Sequence, residues 1–205
     1  MKKIEAFLEE IKKDIPVRIC YKDQSVFMKW LNPFVSLFTK DFMTRFTTTI
    51  GYTVYFPSQE YVKRDENNAL QILAHEAVHL LDTKKWSRPV FMTTYLFPQI
   101  LALGIFFFPW LGITSLFFLL FLLPLPAPFR FFWESRGYTI DIITSKNNAF
   151  EAYIKYFTGW DYYMMFPFPK LVSRVFNHWV EKIESREDKI LLKVWLIYEM
   201  ANELE

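Results

Sequence analysis

Ile4, Phe7, Leu8, Ile11 and Ile15 recur at helical spacing through an otherwise charged N-terminus, which predicts an amphipathic surface helix ended by Pro16. Its charges continue to Asp14 and leave no apolar run, so the segment does not read as a signal peptide. Val17, Ile19 and Tyr21 alternate as a short strand, and the aromatic-rich residues 24–44 carry an expected break at Asn32-Pro33. Residues 47–56 concentrate β-branched and aromatic side chains and predict the best strand of the chain, stopped by Pro57-Ser58. A charged turn at 63–67, with Asp65 or Asn67 as N-cap, then leads into a helix reaching about Thr83. Leu70, Leu73, Ala77, Leu80 and Leu81 form its apolar stripe.

From Pro89 to Phe129 the pattern stops being amphipathic: 41 consecutive positions carry no charge. As continuous helix they would run about 60 Å, twice a hydrocarbon core of about 30 Å. Pro109-Trp110-Leu111-Gly112 supplies a midpoint turn, so a hairpin with arms at 90–108 and 111–123 is expected, transmembrane or membrane-embedded. The second arm is short, because the prolines at 124, 126 and 128 exclude regular helix, and a re-entrant or tilted hairpin is equally admissible. The competing reading is a buried hairpin in a soluble core. Against it, residues 117–123 (Phe-Phe-Leu-Leu-Phe-Leu-Leu) have no polar face to turn toward water. Lys84, Lys85 and Arg88 before the hairpin, and Arg130 and Arg136 after it, predict that both ends lie on the cytoplasmic side. Beyond it, 129–143, 149–157, 171–183 and 189–204 read as helices, parted at Asn147-Asn148, Thr158-Gly159 and 167–169. The expected fold class is α+β and mainly helical, a single domain over 1–205 with a small sheet and an inserted hairpin at 89–129.

Composition narrows the function classes. Lys and Arg total 24 against 22 Asp and Glu, a net charge of +2 that gives no whole-chain argument for nucleic-acid binding. With 52% apolar and 20% aromatic residues the chain is not intrinsically disordered. A single cysteine, Cys20, excludes an internal disulfide framework and a cysteine-built metal site, and reads as a small buried side chain. Only three histidines exist, and two of them, His75 and His79, fall four residues apart.

Those two enclose Glu76 in His75-Glu76-Ala77-Val78-His79, an HExxH sequence in an apolar helical context. Residues i and i+4 lie one turn apart on one helix face, so both imidazoles can reach one Zn²⁺. Glu76 projects beside the metal and can take a proton from water there. Asp82 shares the histidines' face; it reads either as a carboxylate orienting a ligand imidazole or as a last-turn acid, solvated or paired with Lys85, and Arg136, turned away from the Glu134 face, is also free to pair with it. A catalytic zinc needs a third protein ligand. Six residues after His79, where one zinc-protease pattern has a ligand, stands Lys85, so the third must come from elsewhere. The candidates are His178, Glu134, Asp141 and Glu151. Glu134 is favoured: it is the first carboxylate after the uncharged stretch, and it lies in an aromatic run where a lone charge needs a partner. The alternative for it is a salt bridge to Arg130 or Arg136. Tyr138 and Asp141, at i+4 and i+7 from Glu134, could orient it.

An HExxH helix followed by a hydrophobic hairpin and then a glutamate on a helix resembles the membrane-embedded gluzincin metalloproteases. That group includes the prenyl-protein protease and the bacterial heat-shock membrane protease. The resemblance spans about 47–141 and rests on His75, Glu76 and His79, with Glu134 in the position of the third ligand. Where that group often has an aspartate four residues after the ligand glutamate, this chain has Tyr138, and no transmembrane pair is evident before the motif. The wider zincin superfamily also includes minimal soluble phage and bacterial proteins. The resemblance implies a zincin-like core, an edge strand lining the substrate cleft at 48–56, and an oxyanion-stabilising side chain, for which Tyr138, Tyr162 and Tyr163 are available. It implies a zinc-dependent endopeptidase acting on a peptide or protein substrate, with Zn²⁺ as cofactor, residues 89–129 in the lipid bilayer and the active site on the cytoplasmic face. The rival expectation is a structural or membrane-interacting protein, such as a virion or cell-entry component, on a zincin scaffold with little or no catalysis.

Overall fold

The computed structural model describes residues 1–36, 40–145, 150–160 and 164–204. The chain is mainly helical with one small three-stranded sheet, and it divides into two compact units. The first comprises Met1–Leu81 and Lys189–Glu205, the second Asp82–Asp188. The sequence alone reads as one domain.

In the first unit, α1 (Lys2–Ile11) buries Ile4, Phe7 and Ile11, as its periodicity predicts. It stops at Ile11, one turn short of Pro16. β1 (Arg18–Tyr21) leads to α2 (Val26–Val35), whose N-cap Ser25 accepts from the Met28 amide at 3.3 Å. Pro33 lies inside α2 and does not break it where a break is expected. Residues 47–56 are two strands, not one: β2 (Thr48–Ile50) and β3 (Thr53–Phe56) turn at Gly51, whose φ of 64° suits a residue without a Cβ. The sheet order is β1-β3-β2, with β1 parallel and β2 antiparallel to β3. β3 is therefore central rather than an edge, and it buries Val54 and Phe56.

Of the charged turn expected at 63–67, Lys63 and Arg64 end α3 (Gln59–Arg64) and Asp65 is the junction to the next helix. The motif helix α4 (Glu66–Trp86) follows, and Asp65 caps it by accepting from the Asn68 amide at 2.9 Å. Its first residue, Glu66, also accepts from the α1 amides of Lys3 (2.9 Å) and Ile4 (3.3 Å), anchoring the helix start with a carboxylate at another helix N-terminus. α10 (Lys189–Asn202) packs against α1 through Leu191, Val194, Ile197, Tyr198 and Ala201.

The second unit begins with the last turn of α4 and continues into α5 (Arg88–Leu96). The uncharged stretch is not a pair of long α-helices. It consists of a 3₁₀ segment at Gln99–Phe107, the short α6 (Phe108–Leu111) and a second 3₁₀ segment at Gly112–Leu122. Gly112, at φ 54°, makes the reversal, and a Cβ on Gly104 would lie 2.3 Å from the Phe118 ring, so the arms fold back on each other in contact. Gln99–Leu122 is long and apolar enough to cross a membrane by length and composition, with a mean hydropathy of 2.2, and most of it faces outward.

α7 (Pro128–Thr144), α8 (Phe150–Thr158) and α9 (Pro169–Glu184) complete the unit around an aromatic core. Phe131 stacks on Phe166 at 4.3 Å and meets Phe157 edge-on at 5.8 Å. The expected break at Asn147-Asn148 lies outside the described residues.

Candidate metal centre

α4 places His75 and His79 on one face within the first unit, both mostly buried at 8% exposure. Their Nε2 atoms are 3.1 Å apart. Two nitrogens each about 2.05 Å from a tetrahedral zinc stand about 3.3 Å apart, so the pair already has the separation that a shared metal requires. Glu76, between them in sequence, is half-buried and free of the constraint of full enclosure.

Glu134 belongs to the second unit. It sits on α7, 3% exposed, and accepts a hydrogen bond from the Tyr95 hydroxyl of α5. Tyr95 is the residue that sequence reading misses: it lies inside the uncharged stretch, where nothing distinguishes it from its neighbours. Arg130 donates through Nε to the Tyr95 carbonyl at 3.2 Å and lies over the Tyr95 ring. The Arg136 guanidinium is engaged with Asp82 and Asp188. By residue type and burial, His75 and His79 in the first unit and Glu134 in the second are each suited to hold a metal ion.

The other predicted residues are placed as follows. Asp82 is fully buried, and its carboxylate accepts from Arg136 at 2.8 and 3.0 Å rather than pairing with Lys85. Arg136 also reaches Asp188 at 2.5 Å, and these partners hold the guanidinium charged against the opposing effect of its burial. Tyr138 lies in the aromatic core, its ring 4.9 Å from Tyr153 and 5.0 Å from Phe157. Burial first, and the charge of Glu134 second, push its phenol well above the usual range, so it remains a protonated hydroxyl. Asp141 is buried on the same helix and raises the phenols of Tyr138 and Tyr153. Tyr162 and Tyr163 lie outside the described residues. Two alternative third ligands are solvent-facing: Glu151 and His178 are exposed, His178 against the Trp179 ring rather than packed in a core.

A second residue without a sequence signal lies in the same unit as the motif. Lys22, one position past β1, is completely buried. Its ammonium donates to the Phe42 carbonyl at 2.7 Å and lies 3.8 Å from the centre of the Phe42 ring. Burial lowers its pKa to about 8, and the charge of Glu76 opposes that shift.

Compared with protein-family models, with curated proteins and with solved structures, the chain matches none.

Proposed function

We propose that this chain is a membrane-associated zinc metallopeptidase in which His75, His79 and Glu134 hold the metal and Glu76 is the general base. The observation that carries the reading is the 3.1 Å approach of the two Nε2 atoms, on either side of a glutamate, in a buried helix. A bound zinc ion supplies Lewis acidity, which makes water a competent nucleophile near neutral pH and polarises a carbonyl. The chain's own residues do the rest. His75 and His79 present their Nε2 lone pairs from successive turns of α4. Glu76 removes a proton from the attacking water and passes it to the departing amine of the cleaved peptide bond.

Glu134 is supported as the third donor by two features. Its carboxylate is buried and oriented by the Tyr95 hydroxyl, which suits an anionic ligand held for a cation. Arg136, two residues further along α7, grips Asp82, which lies one turn beyond His79 on the unbroken α4. Both flanks of the apolar hairpin face the cytoplasm in this reading, because Lys84, Lys85, Arg88 and Arg130 border it.

The test pairs metal analysis with hydrolysis of a casein-type substrate. Wild type is expected to carry about one zinc per chain and to lose it on His75→Ala or His79→Ala. Glu76→Gln keeps the zinc and loses activity by about 100-fold or more. Glu134→Ala loses both. Metal content that survives both histidine substitutions would place any site elsewhere.

The exposure of Gln99–Leu122 favours a second reading, a membrane-interacting protein without catalysis. Equal hydrolysis by wild type and Glu76→Gln, with membrane partitioning intact, would select it.

A further inference from the structure

We propose that α2 (Val26–Val35) is a second membrane contact, separate from the hairpin, which lays its aromatic face in the headgroup region of an anionic bilayer. The helix turns its apolar side outward. Met28 is its buried residue, while Val26, Phe27, Trp30, Pro33 and Phe34 are exposed, Val26 at 82% and Trp30 at 65%. At about 100° per residue these five fall within an arc of about 120°, with Met28 on the opposite side. Their rings lie against one another: Phe27 and Trp30 stack with centroids 6.5 Å apart, and Trp30 is 5.6 Å from Phe34. Rings in mutual contact make one apolar surface rather than scattered side chains, and such a surface marks an interaction site. Its chemistry selects lipid over protein. The five side chains include no carboxylate, amide or hydroxyl to set the register of a protein partner, and the Trp30 indole N–H is their one polar group. The one charge on α2 is Lys29, exposed at the edge of the arc, where an ammonium reaches anionic headgroups while the rings sit deeper. Ten residues make about 15 Å of helix, half a hydrocarbon core of about 30 Å, so α2 lies along the interface and does not span. A face this small binds weakly alone. The hairpin supplies the anchor, since a bilayer that holds Gln99–Leu122 keeps the first unit at a high local concentration of lipid. In this the inference rests on the membrane reading of the hairpin, and it is independent of the peptidase chemistry.

The experiment places one environment-sensitive thiol dye at a time on the full chain, in a Cys20→Ala background, and reconstitutes it in vesicles of phosphatidylcholine and phosphatidylglycerol. The sites are Trp30→Cys and Phe34→Cys on α2, Trp110→Cys in the hairpin, and Lys12→Cys, an exposed position after α1. Adding spin-labelled lipid is expected to quench the dye on α2 and in the hairpin by about half or more, and the dye at Lys12→Cys by much less. Lys29→Glu should reduce the quenching on α2 and leave that in the hairpin unchanged. If Cys20→Ala does not fold, the emission of Trp30 itself, taken as wild type minus Trp30→Phe, should shift to the blue on vesicles and be quenched by brominated lipid. Dyes on α2 that are quenched no more than the one at Lys12→Cys, while the one at Trp110→Cys is quenched, would show this inference alone to be wrong. Quenching on α2 that ignores Lys29→Glu would overturn the assignment to anionic headgroups. Dyes on α2 that are shielded from aqueous iodide in detergent, in a chain that runs as a dimer, would give the face to a second copy instead. If the dye at Trp110→Cys is not quenched, the membrane reading of the hairpin fails and this contact fails with it.

Discussion

Two buried cations in this chain are compensated very differently, and their substitutions should therefore have opposite signs. Arg136 makes a two-bond contact with Asp82 and a further pair of bonds to Asp188, and it lies 4.8 Å from the Trp179 ring. Arg136→Met would strand two carboxylates, one of them fully buried, at a cost of about 3–5 kcal/mol, measurable by chemical denaturation. Lys22 is held by the carbonyl and the ring of Phe42. Its pKa is about 8 in the folded chain against 10.5 for an unperturbed lysine, so between those values the unfolded chain binds more protons. The burial penalty is complete below pH 8 and is relieved as pH rises toward 10.5, which increases stability by at most about 3 kcal/mol. Stability curves of wild type and Lys22→Met should converge over that window. Parallel curves would mean that the lysine is protonated throughout.

The apolar hairpin is stabilised by close approach rather than by polar contacts. At about 2.0 Å per residue the 3₁₀ segments Gln99–Phe107 and Gly112–Leu122 extend about 18 and 22 Å, each short of a hydrocarbon core of about 30 Å. Neither arm spans alone, which in the membrane reading fits a re-entrant hairpin. The arms meet where Gly104 leaves room for Phe118. Gly104→Ala should force that ring aside and cost about 1–3 kcal/mol, while adding Phe118→Ala should restore part of the loss. Thermal unfolding in detergent reads both, and full additivity would mean that the two residues do not meet. Ser115, fully buried, satisfies its hydroxyl by donating to the Gly112 carbonyl at 2.8 Å, so the turn carries no unmet polar group there.

For the whole molecule, the outward-facing hairpin is the feature on which the proposed membrane association rests. Phe106, Trp110, Ile113 and Phe117 are all exposed, apolar side chains that water does not favour and lipid does. Replacing residues 90–128 with a short polar loop removes Tyr95 and the bond it gives Glu134 along with the hairpin. The protein is therefore expected to move from the membrane or detergent fraction to the soluble fraction and to bind zinc more weakly at the same time. A milder set, Phe106→Ser, Trp110→Ser and Phe117→Ser, should shift partitioning and leave zinc content unchanged. Partitioning that ignores both changes would make the hairpin an ordinary core element.

The sequence by itself determined the local features. The four-residue spacing of His75 and His79, the Asp65 cap, the amphipathic first helix and the uncharged run are consequences of helical period and capping, which need no distant partner. It misjudged segments where neighbouring signals compete. Residues 47–56 are uniformly β-forming, and only Gly51 marks the reversal that splits them. Pro33 reads as a break but sits within a helix that Ser25 caps. Burial of Glu134 was legible as a carboxylate in an aromatic run. The pairing of Arg136 with Asp82, 54 residues away, was legible from the helix face that Arg136 occupies, but the hydrogen bond that Glu134 takes from Tyr95, 39 residues earlier, was not. Lys22 was silent for the same reason. A lysine after a strand is an ordinary surface residue until tertiary packing closes Phe42 over it. Contacts between residues far apart in sequence depend on how helices and strands pack, and no spacing rule along the chain encodes that.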